Sequence, residues 1–548
     1  MHGWPLRYWS LKLVSLAGMS LAVFALPHLM PGTPVTLYES WPINAQQRVH
    51  LISEYGFDHP LPAQYAIWLR RLLTGQWGSS RYSSRLVLQE SWRATRLTLI
   101  LLLWTVLACG LGIAVLWSLQ RLAPWLGVLL PRSQLLHILE ALPTFLVAIF
   151  LRELVLWQLG WMSIASIPLF EPYYFLSPVY MLLPASILAL TPLRIWYTRP
   201  SAPHPQRPLL RQRWQYFRTF LRPHLESFLL DVSLTEYVFA FPGLGRFGIE
   251  ALQRRDLPLL QGFILCIGAV YFILRCLCEP AQPPPALSPS PPSGPQPGGQ
   301  TVYNGLWCCL MLGVITVLAP ALLLYNPMEI HSHDQFLAPG YRYTLGTDFL
   351  GRDVLSRTVE GFRSSVPRVL SLTVLVGGVS WLGLGYRRGW RGLLSLLWCG
   401  GLTLLHAMPS FVLAFMVFVV FEHQPWALHI ALAMACLPVA AQLLTGTMTL
   451  LQRVAQLAQL GGLVLLLDVT FYFLNLSLES FTPTWGSDIR HGMHYGHINI
   501  WMVLAPSCAV IWSRYSLYQL RYGLPCQPPP DAPSHPSTTT QRGDEDAA

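Results

Sequence analysis

The chain has little charge and almost no lysine. Of its 548 residues, 11% are charged, and Lys12 is the single lysine. A nucleotide-binding P-loop is a glycine-rich turn that ends in Gly-Lys-Ser/Thr, and no such turn precedes Lys12. The sequence therefore excludes a conventional ATPase site, and it disfavours chemistry that needs a lysine Schiff base.

The chain contains ten cysteines, but it lacks the close cysteine spacing of metal-binding sites. None of them forms a Cys-x-x-Cys pair, which argues against structural metal sites and a disulfide framework. We interpret the neighbouring pairs Cys276/Cys278 and Cys308/Cys309 as small apolar residues of helices. No cofactor and no metal are therefore expected in this chain.

Hydrophobic residues, by contrast, make up 53% of the chain and form many runs near the ~20 residues that cross a bilayer. The sequence predicts an all-α polytopic membrane protein with about twelve transmembrane helices. The predicted spans cover residues 8–29, 97–118, 134–158, 174–197, 224–240, 258–278, 303–325, 366–386, 392–421, 427–450, 462–478 and 499–520.

Two halves repeat each other across a proline-rich break at residues 279–300. EALPTFLVA at 140–148 matches HAMPSFVLA at 406–414, and LPASILALT at 183–191 matches LPVAAQLLT at 437–445. Matches in the same order indicate a duplicated architecture, as transporters often have. The predicted divisions are a first six-helix module at 1–278, a linker at 279–300, a second six-helix module at 301–522 and a disordered cytoplasmic tail at 523–548.

Topology explains the net charge of +10 better than nucleic acid binding does, because the arginines cluster in short loops. Six arginines and no acid occupy the loop at 197–223, and Arg387, Arg388 and Arg391 mark another loop. Such loops face the cytoplasm, and twelve spans place both termini and the linker there too. No convincing cleavage site follows the first apolar run, so we expect an uncleaved first helix.

The segments predicted to lie outside the membrane carry the most specific motifs. The first half contains MPGTPV at 30–35, YGFDHPLPAQY at 55–65, LTGQWGS at 73–79, FPGLGR at 241–246 and RDLPLLQG at 255–262. The second half contains LGTDFLGRDVLSR at 345–357 and TPTWG at 482–486. These motifs resemble the inner-membrane permeases of the dipeptide/oligopeptide/nickel ABC importer family, with a different permease type in each half. The chain looks like both permease subunits fused.

The resemblance implies a transporter subunit rather than an enzyme. Two separate ABC ATPase subunits would bind ATP inside the cell. A periplasmic or extracellular substrate-binding protein would deliver a small peptide to a path between the halves, in the bacterial inner membrane. A nickel or metal-chelate substrate is the alternative within the family, and a degenerate membrane scaffold is the alternative without transport. A membrane-embedded enzyme is disfavoured because its candidate acids are split between the halves.

The glycine-bearing motifs are interpreted as framing the outer gate. Glycines permit tight turns, and the second-half motif offers opposite charges at near-helical spacing. The alternative is a solvated amphipathic collar with no transport role. The candidates are Pro242, Gly243, Gly245 and Arg246 in the first half, and Gly346, Asp348, Gly351, Arg352, Asp353, Arg357, Trp485 and Gly486 in the second.

Acids inside predicted spans are candidates for the translocation path, because a carboxylate at mid-membrane costs about 2.5–3.5 kcal/mol. Asp468 stands where the resemblance places a glutamate of the second permease, and Glu236 occupies the comparable place in the first half. A rival register pairs Asp231 with Asp468. Since Asp231 and Glu236 point about 140° apart on one helix, both are not expected to face the path.

The family's cytoplasmic coupling helix, which docks on the ATPase, is poorly matched. The first half has an arginine-rich loop in its place. In the second half, VAQLAQLG at 454–461 resembles it, with Ala455 where the glutamate should stand. The candidates for ATPase coupling are Ala455, Gln456, Leu460 and Gly461, followed by an unusually short span at 462–478. Either the coupling contact is reduced, or the chain is a degenerate permease.

Histidines raise the question of a metal, because nickel importers belong to the resembled family. His491, His494 and His497 follow Asp488 at three-residue spacing, and a second cluster spans residues 331–334. Transient metal contact is compatible with this pattern. Ordinary solvated polarity is the simpler interpretation.

Overall fold

The computed structural model describes residues 4–32, 35, 38, 44–122, 141–155, 178–197, 218, 221–278, 299–389, 398, 400–402, 405, 408–421, 424, 426–444, 449–476 and 482–524. Within these ranges every regular element is a helix. The first half contains α1 (Trp4–Leu29), α2 (Ala45–Tyr55), α3 (Leu61–Leu73), α4 (Val87–Leu122), α5 (Thr144–Glu153), α6 (Pro178–Tyr197), α7 (Leu225–Val238), α8 (Leu244–Gln253) and α9 (Leu257–Leu277). The second half contains α10 (Gly299–Leu322), α11 (Val354–Gly389), α12 (Ser410–Phe421), α13 (Ala427–Leu443), α14 (Leu450–Phe473), α15 (Trp485–Tyr495) and α16 (Trp501–Gly523).

Five of the described helices contain a segment that is long and apolar enough to cross a membrane. These helices are α4, α9, α10, α11 and α14. Several other predicted spans correspond to shorter apolar helices, such as α12 and α13. The all-helical membrane class is therefore confirmed, whereas the number of twelve spans stays a prediction. Most of the linker predicted at 279–300 and of the tail predicted at 523–548 lies outside the described residues. Helix α10 begins within that linker, at Gly299, and α16 ends at Gly523.

The span predicted at 462–478 is not short. Helix α14 begins at Leu450 and continues without interruption to Phe473. Its 24 residues give a length of about 36 Å at 1.5 Å per residue, which exceeds a ~30 Å hydrocarbon core. Thr449 caps the start of this helix with a capping box to Gln452. The segment resembling a coupling helix is therefore the first part of a membrane-length helix.

The long helices divide into peripheral and interior ones. In the most apolar 18-residue stretch of α4 and of α10, only 17% of the residues are buried, whereas 72% are buried in that of α14. Leucine and valine side chains remain exposed along α4 and α10, including Leu103, Leu111 and Val317. An apolar helix face can pack against lipid tails as well as against protein. Helices α4 and α10 are therefore suited to face the bilayer, and α14 belongs to the interior.

Both halves build the same turn before their longest helix. The first amide of α4, Val87 N, donates to Gly78 O at 3.0 Å, and the first amide of α11, Val354 N, donates to Gly346 O at 3.1 Å. Gly78 and Gly346 have φ of 83° and 76°, in the left-handed region that favours glycine. The repeat detected in the sequence thus extends to backbone hydrogen bonds.

A polar residue ties each of these turns to the last helix of its half. Asp256, which caps α9, accepts hydrogen bonds from Ser80 Oγ at 2.6 Å and Arg81 N at 3.1 Å. Asn499, just before α16, donates from Nδ2 to Leu345 O at 3.3 Å and Thr347 O at 3.2 Å. The turn in each half is therefore fixed to the helix that closes the module.

The two halves share one hydrophobic core. Buried residues of both halves form a single cluster. Its cross-half contacts include the rings of Phe145 and Phe473, whose centroids lie 5.5 Å apart. Gln253 Nε2 donates to Leu474 O at 2.8 Å across the same boundary. The described residues thus place α5, α7 and α8 of the first half against α12 and α14 of the second.

Candidate functional site

The second-half motif at 345–357 is a buried turn, not a solvated collar. Asp348, Arg352, Asp353 and Arg357 are between 2% and 7% exposed. Asp348 accepts hydrogen bonds from Leu350 N and Arg352 N at 2.9 Å each and from Arg352 Nε at 2.7 Å. This burial contradicts the alternative of a solvated amphipathic surface, since all four charged side chains are enclosed. Arg352 pairs with Asp348, and Arg357 pairs with Asp488. Asp353 accepts a hydrogen bond from a backbone amide.

Glycines and a cap complete that turn. Gly346 and Gly351 adopt φ of 76° and 75°. A Cβ on Gly351 would lie 1.9 Å from His331 O, so no larger residue fits there. Asp353 Oδ2 accepts from Ser356 N at 2.7 Å and caps the start of α11. The predicted tight turns are therefore present, and their acids bind backbone amides as well as arginine.

Arg357 connects this turn to α15. Its Nε donates to Asp488 Oδ1 at 2.9 Å, its Nη2 also binds Asp488 Oδ1, and its Nη1 donates to Pro327 O at 3.2 Å. Asp488 was singled out in the sequence only as a neighbour of histidines. A sequence separation of 131 residues hid this ion pair, which fixes α15 against α11.

Trp485 and Gly486 position α15 by packing. Trp485 is fully buried, and its Nε1 donates to Thr358 O of α11 at 3.1 Å. The ring lies against Gly361, where a Cβ would come within 2.4 Å of it. A Cβ on Gly486 would lie 2.3 Å from Val469 O of α14. These two residues therefore bring α11, α14 and α15 into close contact.

In the first half, Glu236 caps the helix that follows the FPGLGR motif. Its Oε2 accepts from Gly245 N at 2.7 Å and Arg246 N at 3.4 Å, and its Oε1 accepts from Thr98 Oγ1 at 2.5 Å. The side chain is 0% exposed. Gly243 leaves room for the carboxylate, since a Cβ there would lie 2.2 Å from it. Glu236 thus stabilises the start of α8 and ties it to α4.

The other first-half gate candidates shape the same turn. Pro242 precedes Gly243, which is the N-cap residue of α8 and has extended backbone. A Cβ on Gly245 would lie 2.2 Å from Ser233 Cα, so α7 and α8 approach closely there. Arg246 binds Ala240 O with Nη1 and Glu250 Oε1 with Nε at 2.6 Å. The motif therefore closes a sharp α7–α8 corner.

Asp231 contacts different helices. Its Oδ2 accepts from Thr144 Oγ1 of α5 at 3.0 Å and from Thr191 Oγ1 of α6 at 3.4 Å. The residue is buried, at 8% exposure. Asp231 and Glu236 thus contact different helices, as their angular separation predicts. Asp231 joins the two apolar segments that carry the sequence repeat.

Asp468 forms a buried ion pair that the sequence did not reveal. Its Oδ1 accepts from Arg368 Nε at 2.7 Å, and the guanidinium carbon of Arg368 lies 4.5 Å from the centroid of Tyr472. Asp468 is 1% exposed. The signal available was an arginine inside the apolar run at 366–386. Membrane-embedded charges usually pair, so that arginine should have been matched to Asp468.

The structure supports neither of the two alignments predicted for the acids, which paired Asp468 with Glu236 or with Asp231. Helix α7 ends at Val238 and α14 at Phe473, and each is followed by a positive-φ residue, Ala240 or Asn475. The closing hydrogen bonds, from Phe241 N to Glu236 O and from Leu476 N to Phe471 O, are also equivalent. Glu236 therefore aligns with Phe471, and Asp468 aligns with Ser233. The buried carboxylates of the two halves therefore occupy non-equivalent positions and make different contacts.

The coupling candidates lie in the interior of α14. Ala455 and Leu460 are 2% and 1% exposed, and Gly461 is also buried. Gln456 Oε1 is buried without a hydrogen-bond partner in the described part of the chain. The arginine-rich loop of the first half lies mostly outside the described residues. The segment at 454–461 is thus a continuous part of α14 that buries one side and leaves the other half-buried.

The two histidines of α15 differ in exposure: His491 is half-buried, whereas His494 is exposed. His491 lies 4.9 Å from the ring of Phe349. Burial, followed by the charges of Arg490 and Arg357, lowers the pKa of His491 to about 3. Burial and Arg152 also lower the pKa of His494. Across the residues that the structure describes, no three metal-ligating side chains are grouped.

Aromatic residues at the boundary of the halves were missed by the sequence reasoning. Tyr237 packs edge-on to Phe473, with ring centroids 6.0 Å apart, and Arg152 Nη1 donates to Met493 O at 3.1 Å. Their positions carry no motif, because cross-half packing is set by tertiary structure.

These helices, buried ion pairs and repeated turns define a multi-pass helical membrane protein built from two similar halves. The chain is similar to permease subunits of bacterial peptide transport systems, which confirms the resemblance predicted from its motifs. No model of a known protein family matches the chain.

The relatives match about half of this chain and nearly all of their own length. A dipeptide transport system permease of Alkalihalophilus pseudofirmus is 22% identical over 332 residues, covering 51% of this chain and 96% of that protein. A glutathione transport system permease of Salmonella typhimurium is 24% identical, covering 48% of this chain and 90% of that protein. A dipeptide transport system permease of Escherichia coli K12 is 26% identical, covering 50% of this chain and 94% of that protein.

Proposed function

We propose that this chain is the membrane-spanning permease of an ABC importer for small peptides, with two permease units fused. The observation that carries the proposal is that half of the chain suffices to match almost a whole peptide permease. The repeated turn before α4 and α11 supports a second unit of similar design in the other half.

The proposed path runs along the boundary between the halves. Tyr237 and Phe473 meet on this boundary. The buried turn at 345–357 and the α7–α8 corner brace its outer mouth. Alternating access then requires α5, α7 and α8 to move relative to α12 and α14. Glu236, Asp231 and Asp468 keep these helices in register.

The proposed partners are two ABC ATPase subunits, which bind ATP, and an extracytoplasmic substrate-binding protein that delivers the peptide. The proposed location is the bacterial inner membrane with both termini in the cytoplasm. No covalent chemistry is assigned to this chain, since its relatives are transport permeases. A nickel or metal-chelate cargo is the alternative substrate, and the binding protein would select between them.

A second candidate is a membrane scaffold without transport. It is favoured by one observation: the segment resembling a coupling helix is part of α14, and the expected glutamate is replaced by the buried Ala455. A permease that cannot engage an ATPase would bind its partners without moving substrate.

Purification of the tagged full chain from its native membrane distinguishes these functions. We expect two ATPases to co-purify and reconstituted vesicles to take up a labelled dipeptide only with ATP and the binding protein. Uptake of nickel but not dipeptide would assign the alternative cargo. Absence of ATPases and of uptake would favour the scaffold and contradict the proposal.

A further inference from the structure

Two equivalent helices, one in each half, contact α7 through their first residues. Ser410 begins α12 in the second half, and Thr144 begins α5 in the first, each directly after a proline. They occupy equivalent places in HAMPSFVLA and EALPTFLVA. Thr144 Oγ1 donates to Asp231 of α7 at 3.0 Å.

The contact made by Ser410 crosses the boundary between the halves. Its Oγ donates to Glu226 Oε2, and its backbone N lies 3.3 Å from the same oxygen. Glu226 stands in the first turn of α7. Two equivalent hydroxyl residues are therefore held by two carboxylates, Asp231 and Glu226, on one helix of the first half.

Glu226 is itself oriented from the other side. Tyr271 OH of α9 donates to Glu226 Oε1 at 3.0 Å, and Arg275 Nη1 donates to Tyr271 OH at 3.4 Å. Oε1 of Glu226 thus binds a residue of the first half, and Oε2 binds Ser410 of the second half. A carboxylate that accepts a hydroxyl and an amide at a helix start makes charge-assisted hydrogen bonds, which are stronger than neutral ones.

We propose that Glu226 is a positioning residue that fixes the start of α12 to α7, so that α7 moves the repeated helices of both halves together. This inference rests on the proposed transport function. Proline-interrupted segments at equivalent places in two halves mark the region where transporters bind and pass their substrate. A displacement of α7 would therefore reach both sides of the path at once.

The test compares Glu226→Ala, Ser410→Ala and the double variant in right-side-out vesicles that hold the whole transporter with ATP inside. We expect about tenfold lower maximal uptake of a labelled dipeptide in each single variant and no further loss in the double variant. The half-saturating dipeptide concentration should stay unchanged, because neither residue is proposed to touch substrate. Additive losses, or an unchanged maximal rate in either single variant, would overturn the proposal.

Matched variants separate positioning from general damage. Ser410→Thr keeps the hydroxyl that the first half uses at Thr144, and it should retain uptake within about twofold. Glu226→Gln keeps the side-chain size and one acceptor oxygen, so it should fold and show an intermediate loss. Glu329→Ala, at an exposed acid outside this contact, should behave as wild type. A Ser410→Thr variant as impaired as Ser410→Ala would refute the role of the hydroxyl.

Thermal unfolding of the same purified variants makes the contact testable without transport. A double variant that unfolds no earlier than the single variants supports the Glu226–Ser410 contact, whereas additive shifts contradict it. If the wild-type chain moves no dipeptide, the proposed function fails, and this unfolding cycle still decides whether the two halves are joined through Glu226.

Discussion

At the scale of single residues, the three acids predicted for the translocation path each bind neighbouring helices. Glu236 caps α8, Asp231 holds threonines of α5 and α6, and Asp468 pairs with Arg368. A charge buried in apolar surroundings is tolerated only when paired or hydrogen bonded. The three carboxylates therefore hold helices in place, and their value to transport lies in the geometry that they maintain.

Asp468→Asn should strongly destabilise the chain. The substitution removes the negative charge that pairs with the Arg368 guanidinium, which is 9% exposed. Removing one member of a buried ion pair costs about 3–5 kcal/mol, so thermal unfolding in mild detergent should occur at a clearly lower temperature.

Replacement of both partners provides the control for that prediction. Asp468→Leu combined with Arg368→Met should recover much of the lost stability, because an apolar pair is often as stable as a buried ion pair. If Asp468→Asn unfolds like wild type, the ion pair contributes nothing to stability. If its dipeptide-dependent ATPase activity is also unchanged, Asp468 has no part in coupling.

At the scale of helices and turns, sequence reasoning identified the buried acids but not their partners. Asp468 was recognisable as a carboxylate in an apolar run, whereas Arg368 lies 100 residues away in the chain. The glycines of the 345–357 turn were recognisable because positive φ requires them. The contact between Arg357 and Asp488 was not, since it depends on how α15 packs against α11.

The continuity of α14 shows a second limit of sequence reasoning. Comparison with a family pattern placed a cytoplasmic coupling helix at 454–461, before a separate span at 462–478. The local sequence contains no proline, and one helix continues through Gly461 and Gly462. Two glycines cost a helix about 1–2 kcal/mol, which interior packing of Ala455, Leu460 and Val464 offsets. Helix propensity and burial decided the outcome.

Gly245→Ala should disrupt the corner between α7 and α8. The new Cβ would lie 2.2 Å from Ser233 Cα, which is backbone and cannot rotate away. Overpacking of this kind costs about 1–3 kcal/mol, and the shift should reach Glu236 and its bond to Gly245 N. The expected result is a lower thermal unfolding temperature in detergent.

Gly110→Ala is the matched control on α4. Nothing lies within 4 Å of a Cβ at Gly110, and alanine is preferred over glycine inside a helix by about 0.5–1 kcal/mol. This variant should therefore be as stable as wild type or slightly more stable. Equal destabilisation by both substitutions would show that loss of glycine, rather than close packing of α7 and α8, is responsible.

At the scale of the whole molecule, the halves are joined by packing as well as by the chain. They share a core cluster, and ring contact between Phe145 and Phe473 is supported by the hydrogen bond from Gln253 to Leu474 O. Covalent fusion adds a high effective concentration of one half for the other. Fusion thus fixes the pairing of unlike units, and packing fixes their geometry.

Cutting the chain in the linker should leave the halves together. A protease site inserted within residues 281–296 and cleaved after purification in mild detergent is expected to give fragments that co-elute in size-exclusion chromatography. The shared core supplies the reason, because its apolar surface remains buried whether or not the peptide bond is intact.

A variant with a weakened boundary provides the comparison. Phe473→Ala removes a fully buried ring that contacts Phe145 and Tyr237, and loss of such a ring costs about 3–5 kcal/mol. After cleavage, this variant should separate more readily than the parent. Separation of the parent fragments themselves would mean that the linker, not the core, holds the halves together.

The anchors of the two turns have opposite hydrogen-bond polarity. Asp256 accepts from Ser80 and Arg81, whereas Asn499 donates to the carbonyls of Leu345 and Thr347. A chimaera that exchanged only the turns would place an acceptor against acceptors in one half and a donor against donors in the other. The modules are alike in shape yet not interchangeable parts, and each turn could be transplanted only together with its own anchor.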